Sequence, residues 1–234
     1  HAGLDPKGKK CLVLGSGGAS VTVQAVLRHL GAGSVTVISR SGEDNYHNLA
    51  RHQDAELIVN ATPVGMYPNT GISPIDLGLF PHLEGVLDVI YNPARTQLLL
   101  DAESRGIPCE NGLWMLVAQA KEAAEVFTGQ KIPDEIIERI YRQLSHRMKN
   151  LILIGMPGCG KTTIGTLLAQ KLGRTLSDAD EKILSLAGKS IPEIFAQDGE
   201  PIFRAWETQA LGELGKQSGL VIATGGGCVT QKRN

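Results

Sequence analysis

LILIGMPGCGKT, residues 151–162, is an apolar run that empties into glycines and stops at a lysine and a threonine. Gly155 to Thr162 fits the spacing GxxxxGK[ST], with strand character before it and helix character after. Glycines let such a loop wrap its amides around a phosphate. The lysine neutralises β/γ charge, and the threonine hydroxyl suits Mg²⁺. The expected contacts to a nucleoside triphosphate are Gly155, Met156, Pro157, Gly158, Cys159, Gly160, Lys161, Thr162 and Thr163.

Ahead of this loop the chain alternates. Strand-like runs lie at 10–15 (KCLVLG), 34–40 (SVTVISR), 56–62 (ELIVNAT) and 85–91 (GVLDVIY). Helical stretches lie at 19–30, 96–106, 113–127 and 133–147, the last with Pro133 near its first turn. The alternation predicts βαβ units and a parallel sheet covered by helices. The pattern restarts at 150–155, which predicts two domains, 1–147 and 148–234. A composition of 42% hydrophobic and 20% charged residues is that of a soluble globular protein. A net charge of -1 gives no reason to expect nucleic acid or an anionic membrane as a partner. No run is long enough to span a bilayer. Cys11, Cys109, Cys159 and Cys228 are scattered without ligand spacing, which suits a reducing, cytoplasmic setting.

Residues 12–20 read LVLGSGGAS. Gly15, Ser16, Gly17, Gly18 and Ala19 can hold a pyrophosphate against a helix N-terminus. The same residues also read as an ordinary strand–helix turn. The next strand ends in Ser39, Arg40 and Ser41, where NAD-binding folds usually carry an acid. A guanidinium beside hydroxyls suits a 2′-phosphate, which predicts NADP over NAD. A solvated strand end is the plain alternative.

Three segments follow the P-loop: Asp178-Ala179-Asp180, then Phe203-Arg204-Ala205-Trp206-Glu207, then LVIATGGGCV at 220–229. Paired acids beside a P-loop can serve Mg²⁺ or orient a hydroxyl nucleophile, or simply cap a helix. Arg204 can clamp a carboxylate while Glu207 fixes its guanidinium, or the two form a surface i,i+3 pair. Gly225, Gly226 and Gly227 let backbone amides approach a small polar ligand.

The GSGGAS loop does not stand alone. With NATPVGM (60–66), DVIYNP (88–93), TQLL (96–99) and NGLWMLVAQA (111–120) it resembles shikimate dehydrogenase over about residues 1–147. The resemblance implies an α/β, Rossmann-like doubly wound parallel sheet that binds NADP(H). Gly15, Ser16, Gly17, Gly18, Ala19, Ser39, Arg40 and Ser41 would hold the cofactor, and Asn60, Ala61, Thr62 and Gly112 would line its cleft. Tyr91 and Gln119 match positions that touch shikimate. Read alone, Gln119 is a solvated helix residue and Tyr91 a strand-end packing residue. The family often carries another basic residue three or four positions beyond Arg40, where this chain has Glu43, Asp44 and Asn45. The family's catalytic lysine and aspartate belong to a preceding substrate domain. Lys7, Lys9 and Lys10 match no catalytic motif, so efficient shikimate oxidation by this chain is not expected.

The P-loop, DAD, FRAWE and TGGG segments, in this order, resemble shikimate kinase over about residues 149–234. The resemblance implies a partial P-loop NTPase α/β domain. Asp180, Arg204, Gly225, Gly226 and Gly227 would contact shikimate. Lys161, Asp180 and Arg204 would carry catalysis, with Thr162 and Asp178 serving Mg²⁺ and ATP. The family continues with a lid, so both ends of the chain read as cuts within a bifunctional shikimate-pathway enzyme. Two other classes stay open: a nucleotide-binding module without catalysis, and a P-loop kinase of another small hydroxylated substrate. Lys161→Met is expected to abolish ATP binding in calorimetry, and unchanged affinity would refute the P-loop reading.

Overall fold

The computed structural model describes residues 3–232 and 234. The chain divides into two compact units, 1–145 and 146–234. In the first, β1 (Lys10–Leu14), β2 (Ser34–Ile38), β3 (Leu57–Asn60), β4 (Gly85–Asp88) and β5 (Cys109–Glu110) form one sheet in the order β2-β1-β3-β4-β5. Every pairing is parallel. Helices α1 (Gly18–His29), α2 (Gln97–Ser104), α3 (Leu113–Thr128) and α4 (Glu135–Met148) complete the unit. The division falls in the last turn of α4.

Strand β1 explains the arrangement. It pairs with β2 on one side and β3 on the other. Leu12 and Leu14 enter one apolar cluster with Ile38, Ile58, Val86 and Leu98. Cys11 and Val13 enter a second with Leu27, Leu57 and Val59. Alternate side chains thus bury both faces, as a parallel sheet between helices requires. The chain leaves β1 for β2 in one direction and for β3 in the other. A strand order that reverses in this way opens a crevice at the carboxyl ends of β1 and β3.

The strands are shorter than the apolar runs that announced them. ELIVNAT contains only the four-residue β3, because Asn60 turns its side chain to the loop that follows. Helix α4 starts at Glu135, so Pro133 sits ahead of it, and the Pro133 carbonyl accepts from the Ile136 amide. Glu125, at the end of α3, accepts from the Ile132 amide at 2.7 Å and pins that corner.

The second unit repeats the theme on a smaller scale. Strands β6 (Leu151–Leu153), β7 (Leu176–Asp178) and β8 (Val221–Ala223) form a parallel sheet in the order β6-β8-β7. Helices α5 (Lys161–Leu172), α6 (Ala179–Ala187), α7 (Ile191–Gln197) and α8 (Glu200–Gly215) follow in sequence. The Asp178 side chain caps α6, accepting from the Asp180 amide. Ser190 and Glu193 form a reciprocal capping box at the start of α7. Ala179, Leu214, Leu220 and Ile222 form one core cluster; Ile183, Ile194, Phe203 and Ala210 form another.

At the start of α3, the Gly112 amide donates to the Ile90 carbonyl at 3.0 Å. A Cβ at this position would drive into the Val89 carbonyl, which is backbone and cannot swing aside. Gly112→Ala is therefore expected to cost about 1–3 kcal/mol of stability, the usual penalty of overpacking. A wild-type denaturation midpoint for that variant would show that the helix start is loosely held.

Candidate functional site

In the second unit the turn between β6 and α5 delivers the glycine-rich loop to a helix start. Lys161, the first residue of α5, folds its Nζ back onto the Gly155 and Met156 carbonyls, at 2.8 Å each. The Thr162 hydroxyl donates to Asp178 Oδ2 at 2.8 Å, while Asp178 Oδ1 accepts from the Asp180 amide at 2.9 Å. Asp178 thus does both things its sequence allowed: it caps a helix and stands against the P-loop threonine.

One cavity of about 510 Å³ gathers the separated segments. Its wall includes Pro157, Gly158, Gly160, Lys161, Thr162 and Thr163 from the P-loop and the start of α5, Asp178 and Asp180 from the acid pair, and Arg204 from α8. Gly225, Gly226 and Gly227 close it. Gly155, Met156 and Cys159 are not part of that wall. Ile191, Phe203, Glu207 and Thr224 are. Of these, Glu207 was named in the sequence only as a partner for Arg204, and Phe203 and Thr224 lie inside the quoted segments without an assigned role.

Arg204 Nη1 donates to Glu207 Oε2 at 2.9 Å, and Nη2 donates to Glu200 Oε1 at 3.0 Å. The pair is no surface decoration: the Glu207 side chain is 1% exposed. Removing the arginine would leave a buried charge uncompensated, a strongly destabilising change. The hydrogen bond from Arg204 to Glu207 pushes the guanidinium pKa further up, so it stays charged. Glu207 Oε1 has no hydrogen-bond partner among the described residues. A Cβ on Gly225 would come within 2.8 Å of that atom. A Cβ on Gly226 would strike Pro157, and one on Gly227 would come within 2.6 Å of the Arg204 guanidinium. The loop must be glycine to lie this close. Desolvation, then the Asp178 and Glu207 charges, hold the Asp180 carboxyl above the usual aspartate range, against a lowering influence from Lys161.

The first unit places a cavity of about 670 Å³ at the carboxyl ends of β1, β2 and β3. Gly15, Ser16, Gly17, Ser39, Arg40, Ala61 and Thr62 line it, joined by Tyr46, Pro63, Val64, Ser73 and Pro74. A neighbouring cavity of about 330 Å³ shares Ala61, Thr62 and Pro63 and adds Met66, Tyr67 and Tyr91. Gly18 and Ala19 sit exposed in the first turn of α1, and Ser41 is exposed in the loop after β2. None of these three, nor Gly112, lines either cavity. Gln119 is exposed on α3 and is likewise outside both walls.

Asn60 lies beneath the site rather than on its surface. It is fully buried, and its Oδ1 accepts from the Thr62 amide at 3.0 Å and the Thr62 hydroxyl at 2.7 Å. Its Nδ2 donates to Asp88 Oδ1 at 3.0 Å. Asp88 also accepts from the Ile90 amide and the Thr96 hydroxyl. Burial raises the Asp88 pKa, and these three donors oppose the rise. The network fixes the Ala61–Thr62 wall, a role that residue-type reasoning could not separate from direct contact.

Comparison with known proteins divides along the same lines. A family model for shikimate kinase matches residues 157–234. The shikimate kinase of Synechococcus elongatus is 54% identical over 85 residues, covering 36% of this chain and 45% of that protein. The shikimate dehydrogenase (NADP(+)) of Clostridium perfringens is 31% identical over 160 residues, covering 63% of this chain and 59% of that protein. A crystal structure of shikimate 5-dehydrogenase from Thermus thermophilus, in complex with NADP(H) and shikimate, superposes with a TM-score of 0.52 at 31% identity. That match covers 60% of this chain and 57% of the other. The chain spans about half the length of the curated relatives it matches. Residues 157–234 are thus similar to shikimate kinase, and the region ahead of them is similar to shikimate dehydrogenase.

Proposed function

We propose that this chain belongs to a bifunctional shikimate-pathway enzyme, with ATP-dependent phosphorylation of shikimate in the second unit and NADP(H)-linked oxidoreduction of shikimate and 3-dehydroshikimate associated with the first. The observation that carries the kinase reading is the single cavity that joins the P-loop, Asp180, Arg204 and three glycines. Arg204 offers a planar pair of donors for a ring carboxylate, and Glu207 holds that plane still. Asp180 accepts the proton of the attacking hydroxyl, a task its raised pKa favours near neutral pH. Lys161 exchanges its loop carbonyls for phosphate oxygens and offsets charge on the transferring group. Thr162 and Asp178 present hard oxygens 2.8 Å apart, a donor set that suits Mg²⁺, which keeps several waters and takes substrate phosphates as further ligands. A bound Mg²⁺ would supply charge neutralisation there.

In the first unit, Gly15, Ser16 and Gly17 stand ahead of the α1 N-terminus, where free amides favour a pyrophosphate. Arg40 opens into the same cavity and supplies positive charge for a 2′-phosphate. NADPH would supply the hydride. The names of the dehydrogenase relatives, which specify NADP(+), support this choice. Tyr91 borders the adjoining cavity, where its phenol can hydrogen-bond a polyol.

Two substitutions test the two halves separately. Arg204→Lys keeps a charge for Glu207 but loses the fork, so shikimate affinity is expected to fall about tenfold with ATP affinity unchanged. Calorimetry reads both constants, and equal affinity for shikimate would remove Arg204 from the carboxylate site. Arg40→Ala should weaken NADP far more than NAD in a fluorescence titration, and an equal loss for both would contradict a 2′-phosphate contact.

A further inference from the structure

The loop after β2 holds an apparent contradiction. It presents Arg40 to the dinucleotide cavity, yet it goes on with Glu43 and Asp44. An acid at the end of this strand is the usual ligand of the ribose hydroxyls in NAD sites, and it repels a 2′-phosphate. Asp44 is close in the fold as well as in the chain, because its carbonyl accepts from the Ser39 amide at 3.2 Å.

The structure turns the Asp44 carboxylate elsewhere. Asp44 Oδ1 lies 2.8 Å from His52 Nε2, and Asp44 is not part of the cavity wall. An ionised carboxylate only accepts, so Nε2 carries the hydrogen of this contact. His52 ends the short 3₁₀ turn Leu49–His52 and is 9% exposed. Its Nδ1 is buried without a hydrogen-bond partner among the described residues, so the contact to Asp44 is what this polar ring obtains in return for burial. The loop around it is braced. Asn48 donates to the Glu43 carbonyl, Asn45 donates to the Gly42 carbonyl, and the Asn48 side chain accepts from the Asn45 amide.

We propose that His52 is a specificity-determining positioning residue. By holding the Asp44 carboxylate away from the cavity, it leaves Arg40 free for a 2′-phosphate and sets the choice of NADP over NAD. The proposal rests on the dinucleotide reading of this cavity. Released from His52, Asp44 competes with phosphate for the Arg40 guanidinium from within the same loop and offers ribose hydroxyls the acid they bind. Specificity is a difference of affinities, so a residue that touches neither cofactor can set it by controlling a repulsive group.

The test measures dissociation constants of NADPH and NADH by fluorescence titration for the chain and three variants. His52→Phe keeps an aromatic ring and removes the donor. The NADPH-to-NADH preference is expected to fall roughly five- to tenfold, the order of one like-charge contact in a solvated site. His52→Gln places an amide donor near the position of Nε2 and should retain the wild-type ratio. The double variant Asp44→Asn, His52→Phe should regain it, because the repulsive charge is gone while the packing change remains. A wild-type ratio in His52→Phe would overturn the proposal. So would a double variant as impaired as the single one, since the loss would then come from packing. A wild-type chain that binds neither dinucleotide would bring down the cofactor reading itself, and this proposal with it. A wild-type chain that binds both equally would leave the cavity a dinucleotide site and refute the selectivity alone.

Discussion

A parallel strand buried on both faces leaves its chain only the strand ends at which to meet a ligand. In β1 the side chains of Cys11, Leu12, Val13 and Leu14 are all withdrawn from solvent. In β8 the same holds for Val221, Ile222 and Ala223. Chemistry is therefore confined to the loops at the carboxyl edge, where backbone amides come free and helices begin. Both candidate sites lie there, and both are built first from backbone and only then from side chains.

That confinement places heavy demands on the layer just below each site. In the first unit, Asn60 and Asp88 satisfy one another and the backbone around them, and so hold the Ala61–Thr62 wall without reaching the cavity. In the second, Glu207 is buried beneath Arg204 and holds the guanidinium in one plane. The two arrangements differ in cost. The amide–carboxylate network closes with every inner group bonded, whereas Glu207 keeps one oxygen without a partner. A buried carboxylate left half-satisfied lowers stability, and proteins keep such groups where geometry matters more than stability.

Much of this was legible in the chain. The apolar runs ending at Gly15 and Gly155 announce strands that hand over to helices, and the structure has β1 and β6 there. The acid pair, the FRAWE segment and the triple glycine carry residue types whose chemistry suits one polar ligand, and one cavity gathers them. What was not legible depends on contacts between distant segments. Nothing local distinguishes Asn60 as a strut from Asn60 as a wall residue. Tyr46, Ser73 and Pro74 join the larger cavity of the first unit through folding of long loops that have no periodic signal. Gln119 is exposed on α3, as its own residue type suggested, and lies outside both cavity walls. The pairing of Asp44 with His52 reverses the meaning of an acid that the sequence could only count.

The contact between Gly226 and Pro157 sets a dimension. Pro157 belongs to the loop that would face the phosphoryl donor and Gly226 to the loop that would face the acceptor, and a Cβ on Gly226 would come within 2.4 Å of the proline ring. The gap between donor and acceptor walls is thus gauged by the thickness of a glycine. A methyl group added at Gly226 would force the two loops apart and widen the path that a transferred group must cross.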